Sequence, residues 1–230
     1  MTRPRAWQPL AAAFWLPARA TTPSLTAQEV GVQLGRRLFY DADLSADGSM
    51  SCATCHARRH AFADGNRPHP GMTDQPGVRN VPSLANVGAF STLTWIDQHV
   101  TRLDRQFFIP MMGHHPVEMG MPDRTTLVGR IAGNACYRHL FARAFPRAQG
   151  RIDADTIATA VALFERTLVS RDSAWDQARQ GRVTLKPEAA HGQALPDDDE
   201  AALESFLRAL TDVHFLHDPA LALPPEACPA

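Results

Sequence analysis

The chain has 230 residues, 44% hydrophobic and 20% charged, with a formal net charge of −1. That balance suits one globular domain or two small ones, and the even mixing of signs excludes a nucleic-acid or anionic-membrane surface. No stretch reaches the length of an uninterrupted transmembrane helix, so a soluble chain without a membrane span is expected.

The first 25 residues read as an N-terminal arm or a weak export signal. Arg3 and Arg5 precede a short apolar run from Leu10 to Leu16, and Ala18-Arg19-Ala20 fits a small-x-small cleavage site. The run is at the minimum length for a signal, and Pro9 and Pro17 bracket it. A capping box, Thr26-Ala27-Gln28-Glu29, then opens a helix with Val30, Leu34 and Leu38 at helical spacing, ending at Tyr40-Asp41. The turn-rich run Leu44-Ser45-Ala46-Asp47-Gly48-Ser49 leads into Ser51-Cys52-Ala53-Thr54-Cys55-His56.

Two cysteines two residues apart with histidine following is the attachment signature of c-type haem. On one helical turn, thiols at i and i+3 share a face, and each can add to one vinyl group of the porphyrin. His56 then offers its imidazole to the iron as axial ligand. A structural zinc site needs a second ligand pair, and Cys136 and Cys228 stand alone in the sequence. A thioredoxin-like pair needs a βαβ setting, which the flanking pattern lacks. The motif therefore predicts one covalent haem c, held by Cys52 and Cys55 with His56 on the iron. Haem c is assembled outside the cytoplasm, so a periplasmic location follows.

Residues 64–77 are dense in Pro, Gly, Asp and Asn and read as loop. A helix is expected over 102–109, ended by Pro110. Asp123 can cap a helix over 125–132, and Asn134 one over 135–145 that Pro146 stops. Asp153 opens a longer helix with Ile157, Val161, Phe164 and Leu168 on one face. Another runs over 198–210, with Leu203, Phe206, Leu207 and Leu210 directed inward. Sustained strand alternation is absent, so the class is all-α.

Several of these segments together resemble the N-terminal haem domain of the bacterial di-haem cytochrome c peroxidases, a family that includes the MauG-type enzymes. They are Gly35 to Asp41, Leu44-Ser45, the haem motif, Ala61-Phe62-Ala63-Asp64-Gly65 and Arg79-Asn80-Val81-Pro82-Ser83-Leu84-Ala85-Asn86. The likeness continues through Trp95, Gln106, Pro110 and His115-Pro116-Val117-Glu118-Met119, and resumes over 162–170. The family carries a second domain with its own haem motif. Here residues 185–192 look like the lead-in to that segment, whereas 194–212 resemble the family's last helix. The expected layout is an arm (1–25), a cytochrome c-like haem domain (26–150) and a helical remnant of the second domain with the tail (151–230).

The resemblance implies roles. Glu118 matches the distal glutamate, a proton carrier for bound peroxide; alone it would read as a surface carboxylate. Gln106 matches the distal glutamine, or is a solvated helix position, and Pro110 matches a pocket-shaping proline. Trp95 aligns with the tryptophan between the two haems and could relay electrons, or is a packed core aromatic. Asn80 matches a calcium-coordinating asparagine, but one side-chain oxygen is too few for calcium, so none is expected. His69 lies where some relatives place a removable sixth iron ligand, or is solvated. Met111, Met112, Met119 and Met121 either fill the core or supply an axial thioether. A Cys136–Cys228 bridge is open.

The activity so implied is reduction of hydrogen peroxide with electrons from a small cytochrome or copper protein. In MauG-type relatives the oxidising power is directed at a protein substrate. The alternatives are a mono-haem electron-transfer cytochrome and a haem-binding remnant without turnover.

Overall fold

The computed structural model describes residues 25–194 and 200–225. The described residues form eleven α-helices in chain order: α1 (Ala27–Phe39), α2 (Cys52–Cys55), α3 (Leu103–Gln106), α4 (Phe108–Met112), α5 (Arg124–Gly133), α6 (Ala135–Ala144), α7 (Ala154–Glu165), α8 (Ala174–Arg179), α9 (Pro187–Gly192), α10 (Glu200–Ala209) and α11 (Val213–His217). Only isolated bridges, Ala57 with Ala63 and Pro70 with Pro76, occur as β-structure among them. The all-α class follows.

The expected caps form. Thr26 and Glu29 close a reciprocal capping box on α1, with Glu29 N donating to Thr26 Oγ1 at 3.2 Å and Thr26 N to Glu29 Oε2 at 2.7 Å. Asp123, Asn134 and Asp153 cap α5, α6 and α7 through the amides of Thr126, Cys136 and Thr156.

The core is built where α1 lies against α7 and α6. α1 buries Val30, Leu34, Leu38 and Phe39, and α7 buries Ile157, Val161 and Phe164. The two backbones meet so closely at Gly35 that a Cβ there would lie 1.8 Å from the Ala160 carbonyl oxygen. An aromatic chain continues the core outward. Phe39 packs on Phe164 and Phe62, and Phe62 packs on Phe215 of α11, with ring centroids 5.2, 5.8 and 5.7 Å apart. Phe62 belongs to the haem-motif loop and Phe215 to the C-terminal segment, so one apolar cluster binds three distant parts of the chain.

The C-terminal segment is also fixed by polar contacts to α1. Tyr40 Oη donates to the Leu221 carbonyl at 2.7 Å, and Arg36 donates to the carbonyls of Pro219 and Ala222.

Three expectations are corrected. Pro110 does not end a helix: it lies inside α4, in its first turn, where no intrahelical N–H is needed. Leu168 is fully buried but lies beyond the end of α7 at Glu165. In α10, Ala202 is the buried residue, whereas Leu207, and Leu210 just past the helix end, are exposed. α10 lies on α9 through its small-residue side, where a Cβ on Gly192 would meet the Ala202 carbonyl oxygen at 1.9 Å. The N-terminal arm, the start of the helix expected from residue 198 and Cys228 lie outside the described residues.

Candidate functional site

The haem motif folds as expected. Cys52 and Cys55 begin and end the single-turn α2, both as free, half-buried thiols. Ser51 opens the turn by donating its amide N–H to Thr54 Oγ1 at 2.9 Å. Burial pushes both thiols up, that of Cys55 to about 11. They are protonated at neutral pH, the form that adds across a vinyl group.

His56 caps the C-terminal end of α2, its N–H donating to the Cys52 carbonyl at 2.9 Å. Its Nδ1 lies 2.8 Å from the Phe62 carbonyl oxygen. A carbonyl can only accept, so Nδ1 carries the proton and Nε2 keeps its lone pair for a metal. Burial holds the imidazole below the ordinary histidine range, against the opposing carbonyls of Phe62 and Pro82 and the charge of Asp64. Two half-buried thiols on one turn and a neutral, oriented imidazole beside them fit a covalently attached haem c.

Glu118 is brought to the same place from a different part of the chain. Met72 N donates to its carbonyl at 3.0 Å, and Gly71 lies so close that a Cβ would be 1.9 Å from the Val117 carbonyl oxygen. That close approach docks the 69–77 loop on residues 117–118 and puts His69 next to Glu118. His69 Nδ1 accordingly lies 3.5 Å from Cys55 Sγ and 2.7 Å from the Pro70 carbonyl. Burial raises the Glu118 carboxyl above the usual range, and the charge of His69 opposes the rise. Cys55 in turn feels Glu118 and Asp64.

The other expected residues scatter. Gln106 is half-buried at the end of α3, one turn before Pro110, whose carbonyl accepts from Met119 N at 3.1 Å. Trp95 is not a core aromatic: it is 79% exposed on a loop tip beside Ile96, in a turn closed by Thr94 Oγ1 donating to the Asp97 carbonyl. Asn80 is exposed, and no group of three or more His, Cys, Asp or Glu able to hold a metal ion occurs among the described residues. Met111, Met119 and Met121 are buried in the main core.

Two carboxylates near the motif had drawn no role from sequence. Glu165, the last residue of α7, is buried, and desolvation raises it to about 8 against the pull of Arg166. Its charge is felt by Cys52. The sequence signal was a lone acid ending an otherwise apolar run, Ala160-Val161-Ala162-Leu163-Phe164. Asp64 has one oxygen, Oδ2, buried without a hydrogen-bond partner among the described residues.

A family model of di-haem cytochrome c peroxidases matches residues 29–184. The methylamine utilization protein MauG of Methylophilus methylotrophus is 31% identical over 188 residues, covering 81% of this chain and 53% of that protein. The cytochrome c peroxidase Ccp of Escherichia coli K12 is 28% identical over 187 residues, covering 81% and 39%. Among solved structures, a MauG-like protein associated with microbial copper homeostasis superposes with a TM-score of 0.69 at 37% identity, covering 83% of this chain and 55% of that one. The chain spans about half the length of these relatives.

Proposed function

Because this chain belongs to the di-haem cytochrome c peroxidase family, a group of haem c oxidoreductases, we propose that it holds one haem c per chain and reduces hydrogen peroxide to water with electrons from a small redox protein. The observation that supports the reading best is the convergence of Glu118 and His69 on the Cys55 side of the haem motif, from 63 and 14 residues further along the chain.

Haem c bound at Cys52, Cys55 and His56 would supply the iron at which peroxide is cleaved and through which electrons arrive. The protein's own groups supply the rest. His56 presents Nε2 because Phe62 fixes its other nitrogen. Glu118, raised by burial, takes a proton at a carboxylate oxygen from one peroxide oxygen and returns it to the departing one. Gln106 offers an amide that can orient peroxide or its water. Trp95, exposed on its loop, is the surface aromatic through which a docked donor would deliver electrons. The assembly of haem c outside the cytoplasm supports a periplasmic location. No helix among the described residues is long and apolar enough to cross a membrane.

The test is peroxide-dependent oxidation of a reduced small cytochrome or copper protein by the haem-loaded chain, with the ferric spectrum recorded in parallel. Turnover with a high-spin ferric spectrum is expected. A low-spin histidine–methionine spectrum without turnover would make the protein an electron carrier, and haem without either property would make it a remnant.

A further inference from the structure

The haem motif continues into a loop whose geometry sets one charge against the iron ligand. Ala57 and Ala63 form an antiparallel bridge, with Ala57 N donating to the Ala63 carbonyl at 2.9 Å. In that register, residue 56 stands opposite residue 64, so His56 and Asp64 are cross-strand neighbours. The turn between them is unusual. Ala61 and Phe62 both have left-handed backbones, φ 54° and 59°, which non-glycine residues rarely adopt. The surroundings compensate: Phe62 N and Ala63 N donate to the carbonyls of Ala57 and His60, Ser83 Oγ donates to the Ala61 carbonyl, and the Phe62 ring is fully buried. The backbone therefore fixes where Asp64 lies.

Its carboxylate is poorly neutralised there. Oδ1 accepts from Asn66 Nδ2 at 3.2 Å, while Oδ2 is buried with no partner, and no salt bridge reaches Asp64 among the described residues. The residue as a whole is half-buried, so its field toward the protein side, where Oδ2 lies, is screened less than that of a fully exposed carboxylate. Both His56 and Cys55 lie within that field. His56 does not hydrogen-bond Asp64, because its Nδ1 is taken by Phe62.

We propose that Asp64 sets the reduction potential of the haem iron held by His56, its half-buried carboxylate favouring the more positively charged ferric state through space. The proposal rests on the haem reading above. Asp64 is a positioned charge acting on the iron through its surroundings and touches neither peroxide nor iron. Loss of the charge makes addition of one electron to the ferric iron easier, with nothing else gained or lost.

The experiment is an optical redox titration of the haem-loaded full chain, with haem content measured on the same samples. Asp64→Asn, nearly isosteric, should raise the ferrous-to-ferric ratio at a fixed potential by about tenfold or more, a shift of about 59 mV to more positive potential for one electron. The shift should be only partly reduced at high salt, because one carboxylate oxygen is shielded from solvent. Asp64→Glu, which keeps the charge, should lie close to wild type. Asp47→Asn, which removes an exposed carboxylate of the preceding loop, should leave the potential unchanged. An unchanged potential in Asp64→Asn with haem attached overturns the proposal. If Asp64→Asn attaches no haem, Asp64→Ser takes its place. Failure of both neutral variants to attach haem while Asp64→Glu attaches it would make Asp64 a folding residue and overturn the proposal equally. A wild-type chain that takes up no haem instead overturns the haem reading itself.

Discussion

Asn86 and Ser170 hold each other by two hydrogen bonds across 84 residues of sequence: Asn86 Nδ2 donates to the Ser170 carbonyl and Ser170 N to Asn86 Oδ1, both at 2.9 Å. Asn86 itself has a left-handed backbone, φ 60°, which asparagine tolerates better than most side chains. Ser170 Oγ then donates to Asp212 at 3.0 Å, and Asp212 caps α11 through Phe215 N. One polar chain thus ties the loop after the haem motif to the end of α7 and to the C-terminal segment. Asn86→Ala removes both bonds and leaves alanine in the left-handed region, so a loss of about 2–4 kcal/mol is expected. Thermal unfolding measures it, and an unchanged melting temperature would show that the pair contributes nothing.

Glu165 gives the fold a pH dependence whose sign is fixed. Its folded value, about 8, lies above the ordinary carboxyl value of 4.5, so the folded state keeps a proton that the unfolded chain releases. The stability tied to that proton is fully present below pH 4.5 and is lost as pH rises through about 8. Glu165→Gln removes the dependence. Its melting temperature relative to wild type should climb between pH 5 and 8.5, by an amount corresponding to roughly 2–4 kcal/mol at the upper end. A difference that stays flat with pH would mean that Glu165 is ionised in the fold.

Much of the molecule was legible because its signals are local. A capping box needs two side chains three residues apart, and Thr26 with Glu29 supplied it; Asp123, Asn134 and Asp153 worked the same way. The haem motif was legible because its spacing is one helical turn. What stayed hidden depends on packing between distant segments. Leu207 and Leu210 fit an apolar stripe, yet α10 meets α9 through Ala202 and leaves them in solvent. Trp95 has the composition of a core residue but stands on a loop tip. The opposition of Asp64 to His56 depends on two left-handed residues, Ala61 and Phe62, neither of which carries a turn signature.

The exposure of Trp95 separates its two possible uses. With its side chain in water, Trp95→Ala should change stability by less than about 0.5 kcal/mol. Under the proposed role it should nevertheless slow oxidation of a protein donor several-fold while leaving turnover with a small artificial donor intact. Equal rates with the protein donor in wild type and variant would remove Trp95 from the electron route.

Attachment is the simplest quantity to count. Expression with the haem c maturation machinery should add the mass of a single haem to the chain, and none to the double variant Cys52→Ala, Cys55→Ala. His56→Ala should retain the thioether links while changing the ligand field of the iron. Two additions to the wild type would disprove the count, and an addition to the double variant would disprove the site.

Under the proposed function Glu118 carries the proton-transfer step, and its burial makes the prediction directional. Burial raises its carboxyl, with His69 opposing, so the base form that accepts the peroxide proton is available above a folded value higher than the ordinary one of 4.5. Peroxide turnover should therefore fall as pH drops through that raised value, because protonated Glu118 can no longer accept. Glu118→Gln keeps the size and the polar tip but cannot exchange a proton. Loss of a positioned acid–base group costs about a hundredfold or more, so turnover should fall by that factor and lose its acidic limb. The measurement is kcat/KM for hydrogen peroxide across pH in the haem-loaded wild type and variant, with the spectrum and haem content matched. Equal values at every pH would take Glu118 out of the mechanism, and a uniform drop that keeps the acidic limb would move the proton carrier to another group.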